Sequence, residues 1–390
     1  MSDAIKPFLL QVPEEQLLDL NQRLARTRWP DRETVGDTSQ GPQAAKVRAL
    51  CDYWRDSYDW RRCEAVLTGL GQSRTVIDGL GIHFLHVRSP EPDALPLLMM
   101  HGWPGSVLEF HKVVGPLTDP AAHGGDPHQA FHLVIPSMPG FGFSDQPAEP
   151  GWGLPRIAQA WITLMGRLGY DRWGAQGGDF GAGVADAIGR RAPPGCIGLH
   201  YNFATFQPSA AEMAEATPGE QAMLANAKYF WDKLSAYAQV QMTRPQTIGY
   251  SLADSPAGLA AWIYAMFQDV CGTPGDAEAS FTLDEMLDGI MLYWLPNAGA
   301  SSARLYWETA MARASAPPAP PSPIMLPTGF TMFPQEQVRK SRRWIERRYG
   351  NVVHFNEPDR GGHFAALEQP GALVDEVRAT FVRLRGPTRT

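Results

Sequence analysis

The sequence predicts an α/β fold, in which a mostly parallel central sheet is flanked by helices, carries an inserted helical segment and follows a helical extension. Three observations predict it. Short apolar runs alternate with amphipathic stretches over 96–204 and again after 322, the rhythm of strand–helix–strand units. The interval 205–312 is helical in pattern, rich in Tyr, Trp and Met, and has no strand-like run. The first ninety residues read as helices and then a hairpin. The expected divisions are therefore 1–89 (extension), 90–204 (first part of the α/β core), 205–312 (helical insertion, read as a lid) and 313–390 (second part of the core). A length of 390 residues fits two or three such units.

The elements follow in order. VPEEQLLDLNQRLART carries Leu17, Leu18, Leu20 and Leu24 at helical spacing, punctuated by Pro13 and Pro30. A second helix is expected over 42–56. RTVIDGLGIHFLHVRSP alternates about Asp78-Gly79, a hairpin turn. PLLMM and FHLVIPSMPG are buried strands, followed by a helix over 154–168, a strand over 172–176, a Gly-rich turn, a helix over 182–190 and the strand CIGLHYNF. After the insertion, SAPPAPPSP reads as a stiff, extended linker. PIMLPTG and NVVHFNEP read as strands and a C-terminal helix closes the chain.

Composition narrows the function. The chain is 44% apolar and 19% charged with net charge −7, which excludes disorder and gives no general attraction to nucleic acid or an anionic membrane. Four well-separated cysteines form no C-x-x-C pair, so neither a disulfide framework nor a zinc site is expected. The start of the chain has no basic leader and no apolar run approaches ~20 residues. A cytoplasmic protein without membrane attachment is expected.

The residues that carry chemistry begin with Gly177-Gly178-Asp179-Phe180-Gly181, between a strand and a helix. This is the G-x-nucleophile-x-G spacing of a nucleophile elbow. An aspartate at the nucleophile position suits attack on a saturated electrophilic carbon, giving an alkyl ester. His101-Gly102-Trp103-Pro104-Gly105 follows PLLMM, where backbone N–H groups of Trp103 and Phe180 can converge on one Asp179 oxygen as an oxyanion hole. Gly361-Gly362-His363-Phe364 follows the last strand, and Glu336 follows the strand before it. The order nucleophile, acid, histidine is that of α/β-hydrolases.

With these residues in place, the chain resembles microsomal-type epoxide hydrolases with their N-terminal extension. The strings RLARTRWPD, YWRDSYDWR, HGWPGS, PGFGFSD, QGGDFG, TRPQTIGYSLADSPAGLAAW, PTGFTMFP and RGGHFAALEQP carry the resemblance almost end to end. It implies an α/β-hydrolase fold, with Asp179 as nucleophile, His363 as general base and Glu336 as orienting acid. It further implies Tyr237, eight residues before Pro245, and Tyr306, in SSARLYWE, as the pair that binds and protonates the epoxide oxygen. The implied reaction is epoxide plus water giving a vicinal diol, with no cofactor and no metal. Phe180 stands where relatives often have Trp, and little effect is expected because only its N–H is used.

The aromatic residues Tyr229, Trp231, Trp262, Tyr264, Phe267, Tyr293 and Trp294 hint at an aryl or bulky apolar epoxide resembling styrene oxide. The resemblance, which extends to soluble enzymes that open such epoxides during antibiotic assembly, implies that setting or aromatic-hydrocarbon catabolism. A haloalkane dehalogenase, which shares the Asp and His, and a non-catalytic ligand-binding hydrolase are the alternatives. A homodimer is compatible with the sequence.

Other features are discounted. His83 and His86 point to opposite faces of a strand, and metal binding by His123, His128 and His132 is not expected. Gly181 and Gly183 only faintly resemble a dinucleotide fingerprint, because Asp186 occupies the third position. RKSRRWIERR (339–348) reads as a solvated basic face, and Ser301 as a false serine elbow.

Overall fold

A computed structural model of the protein describes residues 3–315 and 322–385. The chain opens with a short strand β1 (Lys6–Pro7) and helices α1 (Glu14–Ala25), α2 (Ala44–Asp56) and α3 (Trp60–Gly69). The third helix was not expected from the sequence. Asp59 caps it by accepting from the Arg61 N–H, and Trp60, Cys63 and Leu67 form its buried stripe. Strands β2 (Gln72–Ile77) and β3 (Leu80–Val87) pair through the Asp78-Gly79 turn, where both residues have positive φ, 56° and 81°, as a two-residue hairpin requires.

The α/β part begins with β4 (Leu95–Met100), α4 (His111–Thr118), β5 (Phe131–Pro136), α5 (Leu154–Arg167), β6 (Trp173–Gly177), α6 (Asp179–Arg191) and β7 (Cys196–Tyr201). Helices alone follow: α7 (Ala210–Ala214), α8 (Pro218–Tyr229), α9 (Ala236–Thr243), α10 (Pro245–Asp254), α11 (Pro256–Val270), α12 (Leu283–Trp294) and α13 (Gly299–Ala314). Most of the expected linker, 316–321, lies outside the described residues. The chain ends with β8 (Thr328–Thr331), α14 (Arg342–Glu346), β9 (Val352–Asn356), α15 (Ala365–Glu368) and α16 (Pro370–Phe381). The strand expected at PIMLPTG is thus displaced to Thr328–Thr331. Prolines 323 and 327 supply no N–H to a ladder, and Ile324 keeps only an isolated bridge to Tyr349.

The nine strands form one sheet in the order β1-β2-β3-β5-β4-β6-β7-β8-β9, parallel from β5 to β9 and antiparallel before it. Its central strands are buried on both faces: Leu97, Leu98, Leu133, Val134 and Ala175 are inaccessible, which is why β4 and β5 read as continuous apolar runs. The order reverses at β4, so β4 and β6 lie side by side with Met100 opposite Gly177. Ligand sites in such sheets form beyond the carboxyl ends of the strands at this reversal.

Segment 339–348 is not a solvated face. Trp344 and Ile345 are buried, and two of its arginines clamp the helical insertion. Arg348 donates twice to Glu212 (2.7 and 2.5 Å), while Arg343 reaches Glu220 at 2.5 Å. Both glutamates also close capping boxes, with Ser209 and Thr217, at the starts of α7 and α8. Among the described residues no helix is long and apolar enough to cross a membrane.

Candidate active site

The register of β4 on β6 brings two loops together. A Cβ at Gly181 would overlap the Met100 carbonyl, so the start of α6 can lie against β4 only without a side chain there. Helix α6 starts at Asp179 itself, three residues before its expected start, and Asp179 has φ +48°. That is the strained left-handed region, which Asp tolerates better than most residues. From there its carboxylate meets the loop after β4. A Cβ at Gly102 would occupy the place of Asp179 Oδ1, and the Trp103 N–H donates to that oxygen at 2.9 Å. The Phe180 N–H bonds the same carboxylate.

Strands β8 and β9 deliver the other core residues. Glu336, 4% exposed, follows β8. His363 follows β9, where its backbone N–H donates to Val270 at the end of α11 (2.9 Å). His363 Nδ1 lies 2.6 Å from Glu336 Oε2, and Nε2 lies 3.7 Å from Asp179 Oδ2. The first is a short charge-assisted hydrogen bond; the second is too long for a direct one. Asp179 therefore presents Oδ1 to the Trp103 N–H and Oδ2 to the imidazole.

The helical insertion supplies the opposite wall. Tyr237 sits at the start of α9, after a wide π-turn at Phe230–Leu234, and Tyr306 sits in the middle of α13. The Tyr237 ring stacks on Trp103 (centroids 5.0 Å, 14°), and Tyr306 meets the Phe180 ring edge-on at 4.6 Å. Phe180 is thus more than a backbone donor, because its ring packs against one of the tyrosines. The Tyr306 hydroxyl is buried, interacts with the Tyr237 hydroxyl, and makes no hydrogen bond of good geometry among the described residues. All five side chains, Asp179, His363, Glu336, Tyr237 and Tyr306, border one cavity of about 550 Å³.

The described architecture is shared with known proteins. The α/β-hydrolase fold family matches residues 96–199, and the family described as "Epoxide hydrolase N terminus" matches residues 5–110. A Stigmatella aurantiaca protein named "Putative epoxide hydrolase" is 52% identical over 98% of this chain and 86% of its own. Epoxide hydrolase 1 of Sus scrofa is 33% identical over 96% and 88%. The chain belongs to the epoxide hydrolase family. Its fold is also that of the Aspergillus niger epoxide hydrolase structure (TM-score 0.86, 30% identity, 98% and 97% of the two chains). The juvenile hormone epoxide hydrolase of Bombyx mori superposes with TM-score 0.89 at 28% identity, over 98% and 95%.

Electrostatics couple the core residues of this epoxide hydrolase. Burial alone would depress the His363 pKa, but Glu336, with Asp179 behind it, overrides burial and holds it at about 9. Burial pushes Asp179 upward, and His363 with the two N–H donors pulls against it. Both tyrosines are driven well above the ordinary phenol value, first by burial; next come the Asp179 charge for Tyr237 and the neighbouring Tyr237 for Tyr306. They are held as neutral donors.

Glu109 escaped the sequence reading, and Tyr293 and Lys340 have roles that it did not give them. Glu109 packs back against Gly105 beside a narrow cavity of about 40 Å³ between α3, α12 and the loop after β4. Burial raises it to about 8, and it feels the charges of His363 and Asp179. Tyr293 donates to the Gly105 carbonyl at 2.8 Å, tying α12 to that loop. Lys340, 3% exposed, borders the main cavity and donates to Val338 O. Of the seven aromatic residues suspected of shaping the substrate site, only Trp231 lines the main cavity. Its aromatic walls are instead Phe180, Phe203, Phe206 and Phe230, whereas Tyr264, Phe267 and Tyr293 are core. Among the described residues no cluster of His, Cys, Asp or Glu is placed to hold a metal ion.

Proposed function

We propose that this epoxide hydrolase converts an apolar, aryl-type epoxide to a vicinal diol through a covalent alkyl ester on Asp179. The observation that supports this reading best is the pairing of opposites across one cavity. A carboxylate held by two backbone N–H donors borders the same cavity as two neutral phenols, of which the Tyr306 hydroxyl makes no hydrogen bond of good geometry among the described residues.

In the first half-reaction Asp179 Oδ2 attacks a ring carbon, the C–O bond breaks, and its electron pair moves onto the ring oxygen. Tyr237 and Tyr306 stabilise that oxygen by hydrogen bonds and one of them gives it a proton. Their raised pKa is no obstacle, since an alkoxide is about as basic as hydroxide (water pKa ~15.7). In the second half-reaction His363, oriented by Glu336, takes a proton from water, and the hydroxide adds to the ester carbonyl. The Trp103 and Phe180 N–H groups hold the resulting oxyanion, a contribution of typically 10²–10³-fold per donor. Collapse releases the second diol oxygen and restores the carboxylate. The His363 proton returns to the phenolate.

Alkylation also switches the base on. The Asp179 charge is one of the influences that keep His363 protonated, and esterification removes it, so the imidazole pKa falls when a neutral base is needed.

The test is diol formation from racemic styrene oxide by the wild type and by Asp179→Ala. Diol from the first and none from the second is expected. In a single turnover in ¹⁸O-water the entering oxygen should come from Asp179, and solvent label in that first turnover would sink the ester mechanism.

A further inference from the structure

Two helices run as rails along the main cavity, each leading away from a reacting side chain. On α6 the cavity is bordered by Asp179, Gly183, Asp186, Ala187 and Arg190, a stripe at helical spacing; on α13 it is bordered by Tyr306, Thr309, Ala312 and Arg313. At ~1.5 Å of rise per residue, Arg190 lies about 16 Å along the axis from Asp179, and Arg313 about 10 Å from Tyr306. Each rail starts at a group proposed to act on the epoxide and ends at a guanidinium.

Neither arginine has an ion-pair partner among the described residues. Arg190 donates to the Ser322 carbonyl at 2.9 Å. The carboxylate halfway along the first rail, Asp186, accepts from Tyr349 on Oδ1 (2.7 Å) and from Thr205 on Oδ2 (3.0 Å), and feels Arg190 only through its charge, without an ion-pair contact. Lys340, on the facing wall, is committed to the Val338 carbonyl and lies in the field of Glu336. Phe206, Phe230, Trp231 and Met266 supply apolar wall to the same cavity.

We propose that Arg190 and Arg313 receive a carboxylate of the substrate, so that the preferred epoxide is an apolar chain or ring system carrying a terminal carboxylate. The inference rests on the reading of this cavity as an epoxide site. A fork of guanidinium N–H donors matches a carboxylate better than any neutral group. The rails span ~10–16 Å, or roughly 8–13 carbon–carbon bonds at about 1.25 Å of advance per bond in an extended chain. A short epoxy acid cannot reach both ends.

The experiment compares kcat/KM for 10,11-epoxyundecanoate, its methyl ester and 3,4-epoxybutanoate, with the wild type and with Arg190→Gln/Arg313→Gln. The acid-to-ester ratio, taken within each protein, cancels general damage to the fold. The long acid should exceed its ester about tenfold or more at low ionic strength. Exposed guanidinium–carboxylate pairing weakens in salt, so the ratio should approach one in 0.5 M NaCl and in the double variant, and Arg190→Lys/Arg313→Lys should restore part of it. The short acid should show no such advantage. A wild-type ratio near one, or a ratio that survives in the double Gln variant, overturns the proposal while epoxide hydrolysis stands. If neither these compounds nor styrene oxide yields diol, the underlying reading of the site fails instead.

Discussion

Tyr306→Phe separates what a residue does for folding from what it does for chemistry. The hydroxyl is buried and makes no hydrogen bond of good geometry among the described residues, only a weaker interaction with the Tyr237 hydroxyl, so the resting fold bears most of its desolvation without return. Leaving a buried polar group unsatisfied costs about 1–3 kcal/mol. Removing it while keeping the ring, which Phe180 contacts edge-on at 4.6 Å, should stabilise the fold by about 1 kcal/mol. For 390 residues, at about 2.1 cal/mol/K of unfolding entropy each, that is a rise in Tm of only ~1 °C, measurable by calorimetry. Activity should move the other way. In the proposed mechanism one of two donors to the developing alkoxide is lost, and a single such donor is worth roughly 10²–10³-fold. Stopped-flow ester formation, read from intrinsic Trp fluorescence with Trp103 beside Asp179, isolates the step. A variant that alkylates at the wild-type rate, or that melts several degrees lower, refutes the reasoning, because the hydroxyl would then be structural.

Further outcomes follow from the same geometry. His363→Gln should still form the ester but release diol ~10²–10⁴-fold more slowly, so intact mass spectrometry should find one substrate mass on the peptide holding Asp179. The folded His363 pKa of about 9 lies above its ordinary 6.5, so its contribution to stability is full below pH 6.5 and disappears as pH rises through 9; that decline should flatten in His363→Gln. Glu109→Gln should keep kcat at pH 7 within about twofold, since at about 8 the native carboxyl is already mostly neutral there. Above pH 8 it removes a negative charge that keeps His363 protonated, so the limb on which activity rises with loss of the His363 proton should move to lower pH, and superimposable profiles would count against that coupling. Arg348→Ala leaves Glu212, 3% exposed, without its bidentate partner and should cost roughly 1.5–3 kcal/mol. The pairing holds Glu212 well below the ordinary carboxylate value, so its contribution is present above about pH 4.5 and lost in acid; equal melting of variant and wild type at pH 7 would argue against the clamp.

What the sequence made legible was local. The hairpin turn, the continuous apolar strands and the Gly-rich elbow are each specified within a few residues, and all fall within a residue or two of their expected places. The boundaries that moved did so for local reasons as well: prolines 323 and 327 pushed a strand toward Thr328–Thr331, and Asp59 started a helix that the apolar pattern alone left unclaimed. Pairings between distant segments left no such trace. Nothing near Arg348 points to Glu212, 136 residues away, and nothing in VLEF says that Glu109 will feel the charge of His363. The Phe180 ring is the instructive case. A sequence reading assigns it a backbone role, whereas its side chain meets a tyrosine 126 residues later.

The division of the site between two stretches of chain has a consequence for how such enzymes diversify. Asp179, Glu336, His363 and both backbone donors stand on the sheet, while the two phenols and much of the cavity wall stand on the inserted helices. In the proposed mechanism, making the ester needs both halves of the molecule, whereas attack on it draws only on residues of the sheet. New epoxides can therefore be recruited by rewriting the insertion alone, with the turnover machinery inherited unchanged. A chimera carrying a foreign insertion is expected to fail, when it fails, by never becoming alkylated.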